Sequence, residues 1–142
     1  MKRPLLPAVL LLASIALALC AAAAVATGGE RDRWPRDARG VLLAIARAPA
    51  KAREQKNPYE GQPDAVQAGE KLYRQKCAEC HGVDARGTTR AVNLHWASVQ
   101  NATPGELAWL LRNGNLARGM PPWAGIPEQR RWQIVAYLKT LR

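Results

Sequence analysis

The sequence predicts an all-α domain of three main helices over residues 57–142 of a 142-residue chain. Two observations carry this. Three windows place apolar residues at helical spacing behind recognisable start signals. No window of useful length alternates apolar and polar residues at the period of a strand.

The first helix follows Pro63-Asp64, with Asp64 as candidate N-cap, and runs to about Lys76; Val66, Gly69, Leu72 and Tyr73 recur on one side. The second starts at Thr103-Pro104, where threonine caps and proline takes the first turn, and Glu106 completes a capping box. Leu107, Leu110 and Leu111 line its face, and Asn113-Gly114 ends it. The third starts at Pro127-Glu128 and runs almost to the C-terminus, with Trp132, Ile134, Val135, Leu138 and Leu141 as its buried stripe. So few apolar residues make a thin core, and a domain this small usually needs a staple or a ligand.

Residues 27–56 form an Arg-rich N-terminal extension containing Pro35 and Pro49. Within it, Asp37 to Arg47 suits a short amphipathic helix with Val41, Leu42 and Ile45 on one side, ended or bent by Pro49. The plain role for this segment is a strap packed on the domain; docking to a partner or a membrane surface is the alternative.

Residues 1–26 have the layout of a secretory signal peptide. Lys2 and Arg3 give a positive start, residues 5–26 run without a charge, and Ala24-Val25-Ala26 offers small residues for cleavage. The uncharged run is also just long enough to span a bilayer, so an uncleaved anchor facing the periplasm stays open. Cys20 follows Leu19 where a lipoprotein signal wants a small residue, and reads as an apolar residue of the signal core.

The whole chain carries a formal charge of +10; Lys2 and Arg3 leave with the signal, so +8 remains from Thr27 on. Basic chains invite a nucleic-acid reading. Export and the scatter of the positive residues argue against it, and an acidic protein partner met by electrostatic steering fits better.

Setting Cys20 aside leaves Cys77 and Cys80, in Cys77-Ala78-Glu79-Cys80-His81. This C-x-x-C-H pattern reads as c-type haem attachment. Two thiols at this spacing reach one edge of a porphyrin and form thioethers with its vinyl groups, and the next residue sets its imidazole over one face of the ring. A redox dithiol would be expected near a βαβ pattern, and a zinc site would need a second pair of ligands. One covalent haem would also supply the staple and the apolar filler that the thin core lacks.

The sixth iron ligand has few candidates. Met120 lies in Arg118-Gly119-Met120-Pro121-Pro122-Trp123, where prolines stiffen the backbone and glycine permits close approach to a ring. A thioether there would raise the potential relative to two nitrogen ligands. His95 is the runner-up, otherwise a surface or propionate-side histidine. Trp96 and Trp109 are candidate haem-lining or core residues, Trp123 a neighbour of the methionine loop, and Arg86, Arg90 and Arg118 candidate propionate partners or plain surface.

From Asn57 to Arg142 these residues resemble the class I cytochromes c, especially short bacterial monohaem forms and the cytochrome subunits of exported dehydrogenases. Cys77, Cys80 and His81 match the attachment motif, and Met120 the distal methionine. Gly69 and Tyr73 match the glycine–aromatic pattern of the first helix, whose glycine lets the last helix cross closely, with Tyr137-Leu138 as the expected contacts. Gly82 and Gly87 match glycines that follow the ligand histidine. The resemblance implies a cytochrome c fold and a periplasmic one-electron carrier with His81 and Met120 as axial ligands, not an enzyme. It implies an exported dehydrogenase as donor and an oxidase or another cytochrome as acceptor. A permanent dehydrogenase subunit and a sensor or enzyme with an open iron site are the rival readings. One departure is clear: relatives often have a proline soon after the motif whose carbonyl accepts the imidazole N–H, and no proline lies between His81 and Pro104. A backbone carbonyl near Ala91 to Asn93 would have to serve.

Overall fold

The computed structural model describes residues 34–141, so the expected signal segment 1–26, with Cys20, lies outside the described residues. Residues Asp37–Arg142 form one compact unit, which takes in the latter part of the Arg-rich extension. In chain order the helices are α1 (Trp34–Ile45), α2 (Ala50–Arg53), α3 (Pro63–Lys76), α4 (Ala78–His81), α5 (Ala97–Gln100), α6 (Pro104–Asn113) and α7 (Glu128–Leu138), with a 3-10 turn at Leu116–Arg118. Among the described residues the only strand-like pairing is an isolated bridge between Asn115 and Met120. The fold is all-α, as the helical periods predict.

The three main helices start for the expected reasons, with one exception. On α6, Thr103 Oγ1 accepts from the Glu106 amide at 3.2 Å while Glu106 Oε2 accepts from the Thr103 amide at 2.8 Å, a complete capping box. On α3, however, Gln62 holds the N-cap position and Pro63 already occupies the first turn. Asp64 is therefore inside the helix, where its charge favours the positive end of the dipole.

The core is built chiefly where α3 meets α7, the most extensive helix–helix contact. Tyr73, Ile134 and Val135 are the largest fully buried side chains, each contributing roughly 1.5–3 kcal/mol by removal from water. Gly69 makes the approach possible: a Cβ there would stand 1.9 Å from the Gln133 carbonyl oxygen. The crossing point is thus Gln133–Ile134, one turn before the Tyr137–Leu138 contact expected from resemblance. Tyr137 instead packs its ring on Tyr73, centroid to centroid 5.3 Å.

Side chains tie the loops to this helix pair. Asn57, buried, donates to the Trp132 carbonyl at 2.9 Å. Gln100 Nε2 bridges the carbonyls of Leu94 and Leu138 at 2.6 and 3.1 Å. Within the segment expected as a short amphipathic helix, Ala44 and Ile45 are buried and Ile45 joins the central cluster. Leu42 departs from the expected face and is 52% exposed, because the inward stripe is Val41, Ala44, Ile45 and Ala48. Among the described residues no helix is long and apolar enough to cross a membrane.

Candidate functional site

The end of α3 delivers the motif. Cys77 caps α3, its amide bonding the Tyr73 carbonyl at 2.8 Å, and the one-turn helix α4 follows. Amides of Cys80 and His81 both bond the Cys77 carbonyl, at 3.1 and 2.9 Å, so the two cysteines and the histidine share a single turn. Both thiols are free and half-buried rather than joined in a disulfide. Burial, and then the neighbouring Cys80, pushes the Cys77 thiol up to about 11.

His81 Nδ1 lies 2.9 Å from the Val92 carbonyl oxygen. A carbonyl only accepts, so Nδ1 carries the proton and Nε2 keeps its lone pair. Burial holds the imidazole below its ordinary value, the Val92 bond offsetting part of that; this favours the neutral ring, the form that binds a metal. The acceptor falls inside the Ala91–Asn93 stretch that the missing proline pointed to.

That carbonyl is held by a tightly wired loop. The Gly87 amide bonds the His81 carbonyl at 2.8 Å, Thr88 bonds Ala91 at 2.9 Å, and Leu94 bonds Ala85 at 2.8 Å. Thr88 Oγ1 donates to the Cys80 carbonyl at 2.6 Å, and the Tyr73 hydroxyl to the Gly82 carbonyl at 2.6 Å. Gly87 has φ +85, and a Cβ there would meet Asn93 N at 2.7 Å and Ala91 O at 2.8 Å. Ala85 is fully buried at φ 60, a conformation that costs an alanine roughly 1–2 kcal/mol. His95 closes the same loop, its Nε2 2.9 Å from the Asp84 carbonyl and its amide bonded to Asn93 Oδ1 at 2.8 Å.

Met120 comes from the other side of the chain. Its amide and carbonyl pair with those of Asn115 at 3.1 and 2.9 Å, closing the loop after α6. Trp123 fastens the following prolines by an amide bond to the Leu111 carbonyl at 2.9 Å. Cys77, Val92, Met120 and Trp123 all pack against the same buried cluster, half-buried themselves. Arg131, buried, donates to the carbonyls of Ala124 and Ile126 and so fixes the loop beyond Trp123.

The three arginines considered as propionate partners or plain surface make these contacts. Arg90 pairs with Glu79 at 3.0 Å, Arg86 lies 3.8 Å from Asp84, and Arg118 extends toward α1. Trp96 and Trp109 are half-buried. Sequence reasoning missed Thr88, Ala85 and Arg131. Nothing in a lone threonine or alanine marks a loop brace, but an arginine inside the apolar stripe of α7 was a usable signal.

The donor set fits a haem of the c type: two unbridged thiols and a neutral imidazole with Nε2 available on one turn, and a thioether on a stiffened loop bordering the same cluster. An all-α fold around such a set defines a class I monohaem c-type cytochrome. The chain belongs to the Cytochrome_CBB3 family, cytochrome c oxidase, cbb3-type, subunit III, which matches residues 64–138. It is 34% identical over 85 residues to the cbb3-type cytochrome c oxidase subunit CcoP of Rubrivivax gelatinosus. That match takes in 56% of this chain but 27% of the relative, so the chain spans about a quarter of that protein's length. It is also similar to the crystal structure of cytochrome CL from the marine bacterium Methylophaga aminisulfidivorans MPT, with a TM-score of 0.53 and 25% identity, covering 60% of this chain and 58% of that one. Family membership makes residues 64–138 a c-type cytochrome domain, the class of domain that holds haem c covalently and carries electrons.

Proposed function

We propose that the chain is an exported one-electron carrier in which Cys77 and Cys80 hold a single haem c as thioethers and His81 and Met120 are the axial ligands. The observation that carries this reading is the His81–Val92 bond, which commits Nδ1 and leaves Nε2 for iron. When bound, the haem supplies a one-electron couple. The chain's own residues keep the imidazole neutral, present a thioether from a stiff loop, and leave no ligand position for oxygen or substrate. The uncharged stretch 5–26 behind Lys2 and Arg3 supports export to the periplasm, with a retained anchor as the variant form.

The relative named as an oxidase subunit favours a cytochrome oxidase complex as the acceptor side; an exported dehydrogenase as donor rests on the sequence resemblance alone. The same likeness favours a second reading, a standing subunit of such a complex rather than a free carrier. The basic balance from Thr27 on suits an acidic partner surface in either case.

Intact mass of the protein matured in a haem-attaching host tests the attachment and the cleavage point together. One added haem on a chain starting near Thr27 is expected; a colourless chain of unmodified mass would refute the reading. The ferric spectrum should display the weak methionine–iron charge-transfer band. Purification as a redox-active monomer separates the carrier from the standing subunit.

A further inference from the structure

Gly40 lies in the middle of α1, where glycine is the poorest helix former after proline. Its backbone is not in the left-handed region, so its conformation does not call for glycine. Its surroundings do. A Cβ on Gly40 would meet Arg118 Cζ at 3.0 Å, Nη2 at 3.1 Å and Nη1 at 3.2 Å. The central carbon is the nearest of the three, so the guanidinium presents its flat face to the helix. Planar guanidinium groups stack in this way; an ammonium has no such face. Arg118 ends the 3-10 turn two residues before Met120, inside the loop closed by the Asn115–Met120 pairing. The inner side of α1 is anchored in turn by Ile45 in the central cluster.

We infer that α1 braces the methionine loop, with Gly40 as the seat on which Arg118 holds that loop in place. Gly40 and Arg118 are positioning residues: neither is proposed to touch iron. The brace gives the N-terminal strap a role in guarding the distal ligand, and that consequence rests on Met120 being the ligand. The displaced group in a Gly40 variant is the far end of a flexible side chain. Substitution there therefore pushes the guanidinium off its seat by a few tenths of an ångström, without forcing the helix apart.

The test uses the haem-loaded full protein as Gly40→Ala, Arg118→Ala and the double variant. Amide exchange at Asn115 and Met120 reports the loop itself, and binding of imidazole to the ferric protein reports access to iron. Each single variant should exchange about two- to fivefold faster at those amides, the scale of losing one surface contact. Imidazole should bind faster by a similar factor. Gly40→Ala should keep or raise global stability while loosening the loop, a combination a merely structural glycine would not give. The double variant should be no looser than Arg118→Ala alone. Unchanged exchange in both single variants, or fully additive acceleration in the double, overturns the brace. Faster exchange with unchanged imidazole binding upholds the brace and instead removes Met120 as the iron ligand.

Discussion

The Val92 carbonyl oxygen stands 2.9 Å from His81 Nδ1, eleven residues along the chain, and Gly87 is what lets the intervening loop fold back that far. Here the acceptor is set by crowding: the Gly87 backbone lies against Ala91, Val92 and Asn93 where a side chain would collide.

Gly87→Val should therefore act on the ligand through its acceptor. Forcing a branched side chain into that contact costs about 1–3 kcal/mol as overpacking, with added strain from the positive φ. The imidazole N–H loses its fixed partner and with it part of the ring's basicity. Chemical denaturation of the haem-loaded protein should give a lower midpoint, and the reduction potential should shift. A destabilised variant with an unmoved potential would mean the Val92 bond does not tune the ligand.

Tyr73→Phe tests the neighbouring brace. The hydroxyl bonds the Gly82 carbonyl at 2.6 Å, and removing it strands a partly buried acceptor, at a cost of about 1–3 kcal/mol. The pH dependence follows with a definite sign. Burial foremost, then Cys77, Tyr137 and Asp84, push the Tyr73 phenol above its ordinary value. With Cys77 alkylated, as proposed, burial, Tyr137 and Asp84 remain. A phenol raised in the folded state stabilises fully below its unfolded value near about 10. That contribution is lost as pH climbs from there toward the folded value. The wild type should thus lose stability above about pH 10 more steeply than Tyr73→Phe. Parallel stability–pH curves would show that the phenol titrates alike in the folded and unfolded states.

Gly69→Ala should be costly in spite of the better helix former it introduces. The new Cβ would lie 1.9 Å from the Gln133 carbonyl, a backbone atom that moves only if α3 and α7 separate. Overpacking of about 1–3 kcal/mol exceeds the propensity gain of roughly 1 kcal/mol. Gly125→Ala is the control, since a Cβ there meets nothing within 4 Å. Urea melts should separate the two variants clearly; equal midpoints would mean that the α3–α7 approach is looser than described.

Much of this architecture was legible in the chain itself. Thr103, Pro104 and Glu106 announce α6 because capping is a local chemistry of four residues, and both bonds of the box form. The C-x-x-C-H run is legible for the same reason. Asp64 misled because Pro63 can itself open a helix, moving the cap to Gln62, whose type gives no signal. The α3–α7 register was off by one turn because glycine marks a close approach without naming its partner. The Arg118–Gly40 contact could not be read at all: it joins elements far apart in sequence, and arginine on a polar stretch looks like solvated surface. Arg131 was different, since its place in the apolar stripe of α7 marked it, although not the Ala124 carbonyl seven residues back that it bonds.

Met120→Ala and His95→Ala should separate the two candidates for the sixth ligand. Met120 sits between a bridge to Asn115 and the stiff Pro121-Pro122 pair, half-buried against the central cluster. Its loss should leave the haem attached, because the thioethers and the His81 turn are built by α3 and α4. The potential should fall as the thioether is replaced by water or a stronger donor, and added imidazole or cyanide should bind the ferric iron readily. His95 spends Nε2 on the Asp84 carbonyl and its amide on Asn93, so it serves the loop. His95→Ala should weaken that loop by about 1 kcal/mol, the net worth of one hydrogen bond, with the charge-transfer band intact. If instead the wild type lacks the band and the potential follows His95 and ignores Met120, iron is held between two imidazoles. The loop after α6 then has some purpose other than ligation.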